Sequence, residues 1–200
     1  MVTIGLVGGV ASGKSAVAAA LARRGAVVFD ADKIGHLVLD EPDVRGELVA
    51  RWGEKILGED GKVSRPAVAA QVFGETDESA EKLAFLEQTL HPRIRQRIET
   101  EIRHFPDPAI PAVVIDAPLL IESAWNDVCE VIAFVDAPRE QRLERAQSRG
   151  WSPEEFTRRE LAQMPIEQKR RWASHVVANS GTLEELEAEV QKFWIDVVKP

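Results

Sequence analysis

The chain has 200 residues, 44% of them hydrophobic, with a formal net charge of −8 and a single cysteine. That length buries the core of one domain with room for inserted subdomains, whereas the negative charge excludes broad attraction to nucleic acid or an anionic membrane. No apolar run approaches the ~20 residues of a membrane span, and no basic region leads into a longer apolar one as in a secretory signal. Cys129 makes no internal disulfide, which agrees with a reducing compartment. We expect a cytoplasmic protein, a monomer or small homo-oligomer, with no nucleic-acid or membrane partner and a small-molecule ligand held in a local basic pocket.

The first element is a β-branched apolar run over 2–7, and an alanine-rich helix former follows over 16–24. Between them stands Gly8-Gly9-Val10-Ala11-Ser12-Gly13-Lys14-Ser15, a full match to the phosphate-cradling pattern G-x-x-x-x-G-K-[ST]. The context is the one the pattern requires, because the loop joins a buried strand to a helix N-terminus. Glycines let backbone N–H groups converge on phosphate oxygens, the helix dipole adds positive potential, Lys14 reaches the outer phosphates and Ser15 is placed to ligate Mg²⁺. By itself the loop implies a bound nucleoside triphosphate.

Further strands are expected over 26–30, 112–116, 130–136 and 175–179, each separated from the next by helical sequence. That alternation predicts a helix-flanked parallel sheet. The long interval between the second and third strands reads as helices over 32–39, 44–52, 66–73, 77–90 and 92–105, with a turn at Glu59-Asp60-Gly61. We read it as a helical insertion at the carboxyl edge of the sheet, where it would shape a second substrate site. Pro106, Pro108 and Pro111 mark its end.

Arg139, Arg142, Arg145, Arg149, Arg158, Arg159, Lys169, Arg170 and Arg171 follow, interleaved with glutamates. Composition alone favours a solvated helix pair with i,i+4 ion pairs over an anion pocket. Ser152-Pro153-Glu154-Glu155 and Thr182-Leu183-Glu184-Glu185 read as capping boxes, and Leu183, Leu186, Val190, Phe193, Trp194 and Val197 share one apolar face of a terminal helix. Cys129 reads as a small buried hydrophobe beside a strand.

Phosphoryl transfer also needs a group that orients or deprotonates an acceptor. The strand ends supply Asp30-Ala31-Asp32 and Asp116-Ala117-Pro118. Asp116, after Val113-Val114-Ile115, has the form of a residue that holds Mg²⁺ through water, or else of a simple strand-terminating turn. Asp30 and Asp32 fit a catalytic acid or a helix cap equally well. No Asn-Lys pair occurs, which speaks against a guanine-reading GTPase, and alanine follows Asp116 where motor and helicase ATPases usually carry a second acid. A small kinase is left.

Together these segments resemble the dephospho-coenzyme A kinase family nearly end to end. The matches are Gly5-Leu6 with the loop; Asp30-Ala31-Asp32; His91-Pro92; Asp116-Ala117-Pro118-Leu119-Leu120 with Glu122; Gln141-Arg142-Leu143-Glu144-Arg145 with Arg149; Arg159 and Gln163 followed by Lys169; and Val176-Val177-Ala178-Asn179 with Gly181. The resemblance implies a three-layer α/β/α P-loop kinase fold with a five-stranded parallel sheet. It also implies a core of about 1–31, 109–138 and 173–200, a substrate insertion of about 32–108 and a lid of about 139–172. The implied activity is ATP- and Mg²⁺-dependent phosphorylation of the ribose 3′-hydroxyl of dephospho-coenzyme A.

By the same resemblance Asp32 is the acceptor-activating acid, and Arg142, Arg145 and Arg149 are lid and transition-state cations beside Lys14. Gly8, Gly9, Ala11, Ser12, Gly13, Lys14, Ser15, Ala16, Asn179 and Gly181 would contact ATP. Asp32, His91, Pro118 and Leu119 would contact the acceptor, and Ser15 and Asp116 would serve the metal. Asn179 with Gly181 could instead be only the approach to a helix cap, and His91 could fix the start of its helix. Val7, Ala16 and Ser174 depart from the family pattern, where threonine, threonine and aspartate are common. A kinase for a nucleoside, nucleotide or other small alcohol, and a nucleotide-dependent switch or binding module, are the competing readings.

Overall fold

A computed structural model describes residues 1–74, 76–104 and 109–198. The strands are β1 (Val2–Gly8), β2 (Val27–Asp30), β3 (Ala112–Asp116), β4 (Val131–Asp136) and β5 (His175–Ala178). They form one parallel sheet in the order β2-β3-β1-β4-β5. Each parallel step needs a crossover. α1 (Lys14–Ala22) joins β1 to β2; α2 (Ala31–Leu39), α3 (Pro42–Trp52), α4 (Arg65–Val72) and α5 (Asp77–Arg103) lie between β2 and β3; α6 (Arg139–Gln147), α7 (Pro153–Leu161) and α8 (Ile166–Trp172) lie between β4 and β5. The β3–β4 connection carries only a 3₁₀ turn, and α9 (Leu183–Val197) follows β5.

By its contacts the chain divides into two compact units, residues 1–30 with 104–200, and residues 31–103. In the first unit Ile4, Leu6, Val114, Ala133, Val135 and Val177 point from the sheet onto α1 and α9 and form one core with Val17, Leu21, Leu186, Val190 and Phe193. The strands alternate, so Phe134 faces the opposite way, and there the Arg170 guanidinium of α8 lies 5.3 Å from its ring centroid. Helix, sheet and helix thus make three layers. Register pairs Leu6 with Asp116, Asp30 with Asp116, Gly8 with Val135 and Asp136 with Ala178, which brings the carboxyl ends of all five strands to one edge.

In the second unit α2, α3 and α4 pack against α5. The expected break at Pro92 is absent, and α5 runs through it. Proline removes the bond to the Gln88 carbonyl and costs about 3 kcal/mol in a helix interior, yet Ile94 and Ile98 just beyond it are buried, and their packing offsets the loss. Phe105, where the second expected helix ended, lies outside the described residues.

Two short 3₁₀ turns, Glu54–Ile56 and Trp125–Val128, had no sequence signal, and an antiparallel bridge between Leu57 and Val63 closes the expected turn at Gly61. Thr182 and Glu185 form a reciprocal capping box. Ser152 accepts from Glu155 N at 3.2 Å, but the Glu155 carboxylate pairs with Arg159 at 2.8 Å, a stronger partner than the cap backbone. Leu183 is 78% exposed and does not join the core, because it is the first residue of α9 and projects ahead of the packed turns.

Candidate active site

β1 ends at Gly8, and the loop turns into α1 through two residues with positive φ, Ala11 at 59° and Gly13 at 93°. Alternating handedness of this kind turns successive N–H groups toward one point and makes an anion-binding concavity. Gly13 has a second reason to be glycine: a Cβ there would overlap the Asn179 side-chain nitrogen. A Cβ at Gly9 would come within 2.6 Å of the Arg142 guanidinium. α1 carries no acid of its own in its first turn, where its dipole is positive, and Ala16 is exposed on that turn.

The loop is held from behind by hydrogen bonds to its carbonyls. Asn179, just past β5, donates from Nδ2 to the Ser12 carbonyl at 2.7 Å. Arg145 donates to the same oxygen at 3.2 Å and to the Asn179 carbonyl at 2.8 Å. Arg142, only 4% exposed, donates to the Val10 carbonyl at 3.2 Å and the Ala137 carbonyl at 3.2 Å, and pairs with Glu160 of α7 at 2.6 Å. Arg139 reaches the other Glu160 oxygen at 3.0 Å, and both arginines lie over Phe156.

These are not the i,i+4 pairs of a solvated face. They tie α6 and α7 to the outer wall of the loop and turn its N–H groups inward. Arg149 lies beyond the end of α6, exposed, and no hydrogen bond or ion pair among the described residues holds its guanidinium.

Ser15, the second residue of α1, donates from Oγ to Asp116 Oδ2 at 3.0 Å. A hydroxyl and a carboxylate at that separation are hard oxygen donors suited to Mg²⁺, which takes one or two carboxylates and keeps several waters. Behind Asp116 the chain is anchored by a buried cation. Lys169, 2% exposed, donates to the Pro118 carbonyl at 3.1 Å and to Gln163 Oε1 at 3.0 Å, and pairs with Glu122 at 3.0 Å. Glu122 also accepts from Met164 N at 2.8 Å.

Sequence alone assigns no site role to Lys169, Gln163, Glu122 or Glu160. A lysine bounded by Gln168 and Arg170 looks like surface charge, and only tertiary packing shows that it is enclosed. Leu119, after Pro118, is half-buried.

Other expected residues find simpler settings. A Cβ at Gly181 would overlap the Glu185 carboxylate, which accepts from Thr182 N at 2.7 Å, so this glycine makes room for the α9 cap. The Cys129 thiol is pushed up to about 12, first by burial and then by the Asp127 charge, which suits an inert hydrophobe. Val7 is buried, and the Ser174 hydroxyl meets the Ile132 carbonyl at 3.4 Å and His175 Nδ1 at 2.9 Å.

In the second unit Asp32 is the second residue of α2, within its first turn and not at the cap. It is exposed, and its charge is favoured by the positive helix end. His91 lies on α5 immediately before Pro92 and is half-buried. Its pKa is lowered by burial, against an opposing pull from Glu87, so the neutral imidazole is favoured.

Comparison with known proteins gives one consistent answer. The dephospho-CoA kinase family matches residues 2–185. A dephospho-CoA kinase of Rhodopirellula baltica is 36% identical, over 98% of this chain and 91% of its own length. The crystal structure of TT1252 from Thermus thermophilus superposes with a TM-score of 0.79 at 34% identity, covering 98% of this chain and 97% of that one. Dephospho-CoA kinase from Campylobacter jejuni gives 0.74 at 25% identity, with 98% and 97% covered. A match that runs from the first strand into the last helix, in fold as in sequence, places this chain in the dephospho-CoA kinase family.

Proposed function

We propose that this protein transfers the γ-phosphoryl group of ATP to the ribose 3′-hydroxyl of dephospho-CoA, giving CoA and ADP. The observation that carries the reading is the Ser15–Asp116 pair at 3.0 Å beneath a complete phosphate loop, in a chain of this family. The bond from the 3′-oxygen to the γ-phosphorus forms as the bond from that phosphorus to the β,γ-bridging oxygen breaks.

The loop from Gly8 to Ser15 binds the phosphates through backbone N–H groups, with Lys14 serving the outer two. Ser15 would hold Mg²⁺ directly and Asp116 through water; when bound, the ion neutralises charge on the β- and γ-phosphate oxygens. Asp32 orients the acceptor hydroxyl and takes its proton late, since an ordinary carboxylate is too weak a base to remove it beforehand.

Arg142 and Arg145 serve chiefly by fixing the loop, because their guanidinium groups are committed to its carbonyls. Arg149 is the cation available to a bound nucleotide, in a lid spanning about 139–172. Asn179 acts through Ser12, and His91, Pro118 and Leu119 serve the acceptor.

No helix among the described residues is long and apolar enough to cross a membrane, and we place the reaction in the cytoplasm. The test is dephospho-CoA-dependent release of ADP. Asp32→Asn should lose at least about a hundredfold in kcat, within the range of positioned acid–base groups, while retaining ATP affinity. Normal turnover in that variant would remove Asp32 from the mechanism, and preferential phosphorylation of nucleoside monophosphates would replace the acceptor.

A further inference from the structure

Within the unit formed by residues 31–103, the Arg65 guanidinium lies against the His36 imidazole, 3.2 Å from Nδ1 and 2.9 Å from Nε2. Both side chains are exposed. The arrangement is unusual in its charge: a permanent cation is held against a side chain that itself gains positive charge on protonation. No carboxylate among the described residues pairs with Arg65, and the first turn of α4, which Arg65 opens, contains no acid. On α5 of the same unit Arg93 and Arg97 each bind two carboxylates. In a chain of net charge −8, an arginine set against a histidine, with no carboxylate pairing with it among the described residues, is matched to an anion from outside.

The pair is also built into place. Asp40, the first residue after α2, accepts from Val63 N at 3.0 Å and so pins the segment leading to Arg65 to the end of that helix. His36 stands one turn after Asp32 on α2, which is about 6 Å along the helix axis and on the same face. An acceptor whose hydroxyl meets Asp32 therefore has its next functional group near His36 and Arg65. In a nucleotide the 3′-hydroxyl and the 5′-phosphate are separated only by the sugar ring and one carbon. Dephospho-CoA carries a diphosphate at that 5′ position.

Resting on the acceptor reading above, we propose that His36 and Arg65 form the subsite for the diphosphate of the acceptor. Arg65 supplies two parallel donors in the geometry that phosphate oxygens accept. His36 gives up its contact with Arg65 and turns a ring N–H to the same group. The subsite explains how a kinase of this design would choose a nucleotide-ended acceptor over a bare nucleoside: the discrimination resides in the helical unit and not in the phosphate loop.

The test uses the full chain and two ligands, dephospho-CoA and adenosine, which presents the same ribose without a diphosphate. Arg65→Gln should raise Kd for dephospho-CoA, measured by calorimetry, and KM in the ADP assay by about ten- to a hundredfold, with a smaller change in kcat. His36→Gln should give a weaker effect in the same direction, and Arg65→Lys should recover part of the loss. Adenosine affinity should not change in any of the three. Because Arg65 and His36 are exposed, an unchanged thermal midpoint identifies a folded variant.

Equal affinity of wild type and Arg65→Gln for dephospho-CoA would overturn the subsite, as would an equal loss for adenosine. Competition of inorganic pyrophosphate against dephospho-CoA in wild type, absent in Arg65→Gln, would support it. Were wild type to bind dephospho-CoA without phosphorylating it, the kinase reading would fail while the calorimetric comparison still decided the subsite.

Discussion

The side chain of Asn179 donates to the Ser12 carbonyl at 2.7 Å, across 167 residues of sequence, and occupies the space that a side chain on Gly13 would need. The last strand thereby fixes the curvature of a loop that follows the first. Arg145 completes the clamp by bonding both partners. Phosphate recognition depends on where the loop's N–H groups point, and a peptide plane held at its carbonyl is held at its N–H as well.

Asn179→Ala should accordingly weaken ATP more than it weakens the fold. Losing one buried hydrogen bond costs about 1–2 kcal/mol in stability. Apparent Kd for ATP should rise about tenfold, since Arg145 still donates to Ser12. Denaturant unfolding together with nucleotide titration separates the two effects. A variant with wild-type ATP affinity would show that the clamp does not govern the loop.

The Lys169–Glu122 pair offers a double-mutant cycle. Lys169→Met leaves Glu122 beside an apolar group and removes the donor to the Pro118 carbonyl, and Glu122→Leu leaves Lys169 buried with its charge uncompensated. Each single change should cost about 3 kcal/mol, with the second change adding little to the first, because breaking a buried pair is dearer than replacing it whole. Urea midpoints of wild type, both single variants and the double variant test this. Strict additivity would show that the pair is not coupled.

Cys129 gives a pH dependence of definite sign. Its thiol rises from an ordinary 9.0 to about 12 in the folded protein. Below about pH 9 both states keep the proton and the group contributes nothing to pH dependence; between about 9 and about 12 the unfolded chain alone ionises, so stability falls as pH rises, by up to about 1.4 kcal/mol per pH unit. Cys129→Ala should therefore show a shallower alkaline loss of stability than wild type in urea titrations on either side of about pH 9. Native Cys129 should also resist alkylation near neutral pH, and rapid labelling of folded protein would contradict its burial.

Sequence by itself determined the elements whose signals are local. The phosphate loop, the alternation that makes a parallel sheet, and the box of Thr182 with Glu185 depend on residues within a few positions of each other, where propensity and capping chemistry act directly. The ordered matches to one family extended that reading to Asp32 and Asp116. Tertiary structure decided whatever depends on enclosure. Pro92 reads as a helix break until the packing of Ile94 and Ile98 outweighs one lost hydrogen bond. Arg142 and Lys169 read as surface charge until β4, α7 and the segment after Asp116 surround them with carbonyls and a carboxylate. His36 and Arg65, 29 residues apart, carry no joint signal along the chain, because their meeting is set by how α2 and α4 each pack against α5. The reason is the range of the forces: local backbone preferences are written in consecutive residues, whereas desolvation and charge pairing depend on neighbours that only the folded chain supplies.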